Sequence, residues 1–190
     1  MSDFEFVFAL YSLLLGLSMV ELLGGLGRAL EARFAAEAEK ERFAIGWLTP
    51  LLAIFVMLDL LSFWASAWRV REDIIVSSTT LMAVVAFAGV YFLAARLVFP
   101  SHPEGFANLD THYFRVRRLV FGLLLALLAA QMVYYAAHPD LSKLLVQPRP
   151  LIMTSIFVVL IAAAIWVKGR RASIALLSLL IARYVLANLL

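Results

Sequence analysis

The sequence predicts an all-α integral membrane protein: six transmembrane helices forming one domain over residues 1–190, with no soluble domain. Three observations predict it. Of 190 residues, 64% are hydrophobic and only 15% charged, and the mean hydropathy of +0.95 is far above what a chain with a hydrated surface carries. The apolar residues gather into six runs close to the roughly 20 residues that a bilayer-crossing helix needs. Lysine and arginine fall mostly between alternate runs, the asymmetry that orients helices in a membrane.

The first run, 6–27, is interrupted only by Glu21, and its helix is expected over 5–30. The residues before it are acidic rather than basic and the run has no small-residue cleavage site, so it is expected to persist as a helix and not as a signal peptide. The stretch ALEARFAAEAEKERF at 29–43 is rich in strong helix formers and extends this helix beyond the membrane. The second run, 43–68, is interrupted only by Asp59 and predicts a helix over 44–69, with Pro50 in its first turn. The third, 74–95, is uncharged and is followed directly by Arg96; its helix is expected over 74–99. The fourth, 119–137, predicts a helix over 114–137. The fifth, 151–167, is only 17 residues, about 25 Å of helix, and so stands nearly upright over 150–168. The sixth, 172–190, is interrupted only by Arg183.

With the N-terminus outside, the cytoplasmic ends and loops hold eleven bases: Arg28, Arg33, Lys40, Arg42, Arg96, Arg115, Arg117, Arg118, Lys168, Arg170 and Arg171. The external loops hold four, Arg69, Arg71, Lys143 and Arg149. The expected topology is therefore a multi-pass protein of the cell inner membrane with both termini outside the cytoplasm. Trp47 and Trp166 on one side, and Trp64 and Trp68 on the other, suit the interfacial belts of the bilayer. Topology accounts for the net charge of +3, so the lipid bilayer and not nucleic acid is the expected partner. Cysteine is absent, which excludes disulfides and thiolate metal sites.

A weak internal similarity relates the halves 1–99 and 113–190. YSLLLGLSMVE at 11–21 aligns with FGLLLALLAAQ at 121–131, placing Glu21 on Gln131. IFVMLDLLSFW at 54–64 aligns with IFVVLIAAAIW at 156–166, and LAARLVF at 93–99 with LIARYVL at 180–186, placing Arg96 on Arg183. Leucine identities carry little weight; the Arg and Trp coincidences carry more. Two three-helix halves would have opposite orientations, a construction that recurs in transporters with sites near the midplane.

Five polar residues lie within the predicted spans and are the candidate site: Asp59, Arg183, Gln131, Glu21 and Arg96. A charge at the bilayer centre costs about 3 kcal/mol on insertion scales, which pairing or a wet cavity offsets. Counting along the helices puts Glu21 and Arg96 near the cytoplasmic boundary, within reach of each other, and Asp59, Gln131 and Arg183 near the midplane. Asp59, Ser62, Ser66 and Arg69 form a polar stripe on the second helix; Gln131, Tyr134 or Tyr135, and His138 form one on the fourth. Facing each other, these outer stripes would line a vestibule floored by Asp59 and Arg183. The competing reading is two structural ion pairs, Glu21–Arg96 and Asp59–Arg183, with the hydroxyls gluing helices together. Gly24 and Gly25 on one face of the first helix, and Gly16 and Gly27 on the other, predict close neighbours on both sides and a central position.

Other chemistry is missing. No histidine lies inside a span, and H-E-x-x-H, G-x-S-x-G and phosphate-loop motifs are absent. His102, Glu104, Asp110 and His112 share a loop without a defensible ligand spacing and read as solvated residues. No enzyme activity, metal or cofactor is expected. Two functions remain: a transporter or channel for an ion, proton or small polar solute, acting as a homo-oligomer, or a non-catalytic accessory subunit of a larger membrane complex.

Overall fold

The computed structural model describes residues 3–38, 43–71 and 74–189. Among them the chain forms seven α-helices: α1 (Asp3–Ala38), α2 (Leu48–Ala67), α3 (Ser78–Val98), α4 (Asp110–Ala137), α5 (Pro139–Val146), α6 (Pro148–Trp166) and α7 (Arg170–Leu189), with 3-10 turns at Trp68–Val70 and Pro103–Gly105. Five of them, α1, α2, α3, α4 and α6, are long and apolar enough to cross a membrane. α7 is of similar length but carries Arg170, Arg171 and Arg183. The extension of the first helix past its apolar run is present, to Ala38.

The short helix α5 falls where the sequence suggested only a loop. Pro139 and Pro148 stand at the first positions of α5 and α6, where the missing N–H costs no helical bond. Leu141 of α5 is buried against Val70 and Tyr135, with Leu144 and Leu145 beside it, while Lys143 is exposed. α5 is thus amphipathic and lies across one end of the bundle.

The central helix is α2, not α1. Half of the α2 span is buried, against 28% of the α1 span. Phe55 packs on Phe121 of α4, Phe157 of α6 and Tyr184 of α7, with ring centroids 5.9, 6.1 and 6.1 Å away. α1 instead buries a single seam, Phe4, Val7, Tyr11, Leu15, Ser18, Leu22, Gly25 and Ala29, whose spacings of three or four residues keep it on one face. That seam lies mainly along α3. Leu13, Leu17, Val20 and Leu23 are exposed on the other side. The glycines explain the difference from expectation. Gly25 does allow a close approach, since a Cβ there would sit 2.6 Å from the Phe99 ring, but Gly16 and Gly27 face open space.

The two sequence halves do not pack alike. α1 lies along α3 and α2 along α7, yet the corresponding pairs, α4 with α7 and α6 with α3, share no comparable interface.

At the arginine-rich end, the basic end hereafter, the loop after α1 pairs with the loop before α4. Ala44 N–H donates to the Ala107 carbonyl and Leu109 N–H to the Ala44 carbonyl, both at 3.0 Å. Asp110 completes the joint. Trp47 gives α2 no capping side chain, so the Leu48 N–H would lack a partner; the Asp110 carboxylate accepts it at 3.0 Å from 62 residues away. Thr49 donates to the Leu109 carbonyl at 2.9 Å, and Arg170 Nε of α7 approaches Asp110 Oδ2 at 2.7 Å. Gly46 makes room for this: its φ of +72° is left-handed, and a Cβ there would collide with the Asp110 carboxylate. The expectation that Asp110 and His112 are solvated loop residues is therefore wrong. Both are buried at the start of α4, His112 bonding through Nε2 with the Leu97 carbonyl at 3.0 Å, because the loops close over them.

Gly46→Ala is expected to destabilise the fold by about 2 kcal/mol or more through left-handed strain and the collision with Asp110. Gly27→Ala, on an open helix face, is expected to be neutral or to stabilise by up to about 1 kcal/mol. Thermal unfolding of both variants in mild detergent, followed by circular dichroism, checks the contrast.

Candidate functional site

Asp59 sits in the middle of α2 and is 1% exposed. Both oxygens are occupied. Tyr91 of α3 donates to Oδ2 at 2.8 Å, and the Tyr184 hydroxyl of α7 donates to Oδ1. Tyr91 also lies 3.0 Å from the Val56 carbonyl. One acid thus ties the central helix to two neighbours.

Arg183 does not pair directly with Asp59. Its Nε donates to the Met153 carbonyl of α6 at 3.3 Å, and its guanidinium lies over the rings of Phe157 and Tyr184, 4.8 Å from each centroid. The reason is rotational: adjacent residues on α7 point about 100° apart, so when Tyr184 faces Asp59, Arg183 is turned toward α6. The aromatic faces give the cation an electrostatic partner that does not consume the carboxylate.

Above these residues, toward the end that carries α5, lies a cavity of about 210 Å³. Asp59, Ser62 and Ser66 of α2, Gln131 and Tyr135 of α4, Thr154 of α6 and Arg183 of α7 supply its polar lining. Leu144 and Leu145 of α5 close its far side. The two polar stripes meet here: Gln131 Nε2 donates to Ser66 Oγ at 3.0 Å and to the Tyr135 hydroxyl at 3.1 Å. His138 does not join them. Its Nδ1 is 2.8 Å from the Tyr134 carbonyl and its ring lies 4.2 Å from that of Tyr134, tilted by 39°, on the side of a separate apolar groove, because α4 ends at Ala137 and the chain turns away. Arg69, the outermost residue of the α2 stripe, has a side chain outside those described.

Glu21 and Arg96 come together at the basic end, with a third member the sequence did not single out. Glu21 Oε1 lies 3.1 Å from Arg96 Nη1 and 3.0 Å from Arg28 Nη2, one turn-pair further along α1. Arg96 also donates to Ser101 Oγ at 2.7 Å. Both arginines remain more than a third exposed, so the cluster is hydrated on its outer side.

Further residues with structural weight went unnoticed among the loop charges and apolar runs. Arg117 is buried and donates through Nη1 to the Val167 carbonyl and, at 3.3 Å, to the Ala164 carbonyl. It caps the C-terminus of α6, where a cation is favoured. Tyr91 and Tyr184 carried a readable signal: a tyrosine in mid-span must place its hydroxyl against a polar partner. Among the described residues no cluster of three or more His, Cys, Asp or Glu could hold a metal, and His102 simply faces Glu104 at 3.2 Å on the surface.

Fold and site together define a polytopic helical membrane protein with a polar cavity inside its bundle. Comparison finds no matching family model, no similar curated protein and no similar solved structure.

Removing one hydroxyl from the Asp59 knot leaves a buried carboxylate oxygen short of a donor, so Tyr184→Phe and Tyr91→Phe should each cost about 1–3 kcal/mol. Glu21→Gln should cost less than about 1 kcal/mol, because Glu21 is 22% exposed and water replaces part of what its arginines supply. Unfolding midpoints of the three variants in the same detergent check this order.

Proposed function

We propose that this chain is a small carrier or channel for an ion, proton or small polar solute, with Asp59 as the group that meets it. The observation that carries this reading is the cavity reaching Asp59 at mid-span, in a helix bundle where lipid alone would favour a dry core. At roughly 30 Å³ per water, it has room for several waters or one small solute. Its walls offer an acceptor, Asp59, and donors on Ser62, Thr154 and Arg183. Asp59 has no direct salt bridge, and its carboxylate is held by the neutral hydroxyls of Tyr91 and Tyr184. In this reading α7 is the sixth crossing, the basic end faces the cytoplasm of the inner membrane, and both termini lie outside. Glu21, Arg28 and Arg96 then form the inner closure. A chain of this size acts as a homo-oligomer. The inverted repeat is not needed for it.

One observation favours a second reading, a non-catalytic accessory subunit: both Asp59 oxygens are already held by tyrosines, as in a purely structural knot.

The absence of cysteine permits a direct test. Ser62→Cys, reconstituted in liposomes, is expected to react with a membrane-impermeant maleimide added on the termini side. Asp59→Asn is expected to retain the folded state and lose proton flux in pyranine-loaded vesicles, or the flux of whichever small ion the parent carries. An unreactive Ser62→Cys, together with a parent protein that carries nothing and an Asp59→Asn variant that unfolds, selects the accessory reading.

A further inference from the structure

A second and larger cavity, about 930 Å³, lies on the other side of the Ser66–Gln131–Tyr135 wall. It is a groove between the termini-side halves of α3 and α4, backed by Phe4, Val7 and Tyr11 of α1 and Phe63 of α2. Small residues open it. Ala83 and Ala86 of α3 and Ala126 and Ala130 of α4 line the gap and are exposed, so the two helices stand apart there. Deeper along the same pair the gap closes: Tyr91, Ala94, Ala95 and Val98 of α3 and Val120, Phe121 and Leu124 of α4 are all buried.

The groove therefore has a mouth and a blind end. The mouth is polar, with Ser77 and Thr80 at the cap of α3, their hydroxyls 2.8 Å apart, and His138 at the end of α4. The blind end lies at Val90 and Ala126. From Ser77 to Val90 the helix rises about 20 Å, which matches one leaflet, half of the roughly 30 Å hydrocarbon core plus part of the interface. A partner's transmembrane helix would continue through both leaflets and cannot seat in a groove that ends at the midplane. An acyl chain ends there of itself.

We propose that this groove is a binding site for one lipid of the termini-side leaflet, with an acyl chain between α3 and α4 and the headgroup at the Ser77, Thr80 and His138 mouth. Apolar walls with a hydroxyl and imidazole rim suit an amphiphile of this kind, and a volume near 900 Å³ is at the upper end of ordinary ligand pockets. The site is independent of the solute reading for Asp59, since the wall of Ser66, Gln131 and Tyr135 separates the two cavities.

The test is reconstitution of the full chain in phosphatidylcholine vesicles containing a phosphatidylcholine with a photoactivatable diazirine near the tail end, followed by mapping of the adducts. The expected result is adducts concentrated on the groove residues of α3 and α4, one lipid retained per chain in native mass spectrometry, and loss of both in Ala130→Trp. A second filling variant, Ala83→Phe, is expected to do the same. Both positions point into open space, and circular dichroism and gel filtration should match the parent. Adducts spread evenly over exposed residues such as Val133 and Val159, or unchanged adducts and lipid retention in the filled variants, would overturn the proposal. So would crosslinks that join the groove to a second copy of the chain.

Discussion

The carboxylate of Asp59 is the joint on which the bundle turns. Lipid provides no water to satisfy a polar group, so a carboxylate in mid-span must collect its hydrogen bonds from other helices or from a cavity. Asp59 collects them from Tyr91 and Tyr184, and in doing so fixes the rotation of α3 and α7 about α2. The aromatic packing of Phe55 with Phe121, Phe157 and Tyr184 joins the same central helix to α4, α6 and α7. Arg183 follows from the same rotation: with Tyr184 committed to Asp59, the guanidinium is left to the Met153 carbonyl and the ring faces.

At the basic end, charges do a second kind of work. Asp110 caps α2, faces Arg170 of α7 and sits against the loop that carries Gly46, so one acid holds three segments that are far apart in sequence. Arg117 caps α6, and Glu21 gathers Arg28 and Arg96 between α1 and α3. The Asp110 and Arg117 contacts satisfy helix termini whose backbone groups would otherwise lack partners. The arginines that make this end basic, Arg28, Arg96, Arg117 and Arg170, are thus also among its fasteners.

The opposite half of the molecule is looser. There the helices separate around two cavities of opposite character, one polar and reaching Asp59, the other apolar and open between α3 and α4. Ser66, Gln131 and Tyr135 line both, and their mutual hydrogen bonds form the partition. α5 lies over the polar cavity and packs by Leu141 on Val70 and Tyr135. The bundle is thus fastened at one end and cavitated at the other.

Much of this was legible in the residues themselves. Long apolar runs specify membrane-crossing helices because transfer into lipid is a local property, summed residue by residue along one segment. Counting along those helices put Glu21 and Arg96 at one depth, within reach of each other, and the Ser66 stripe in the same half of the span as Gln131; that these pairs touch comes from the structure. What the sequence could not supply was rotation. In a soluble helix the apolar stripe marks the buried face, but here Leu13, which faces outward, and Leu15, which is fully buried, are the same residue in the same helix. With lipid and core chemically alike, nothing in the periodicity told α1 from a central helix or directed Asp59 to two tyrosines and not to Arg183. The capping of α2 by Asp110 was equally hidden, since it joins residues 62 apart through a glycine turn. Composition determined the helices; packing decided which side of each one faces its neighbours, because only the assembled bundle distinguishes protein from lipid.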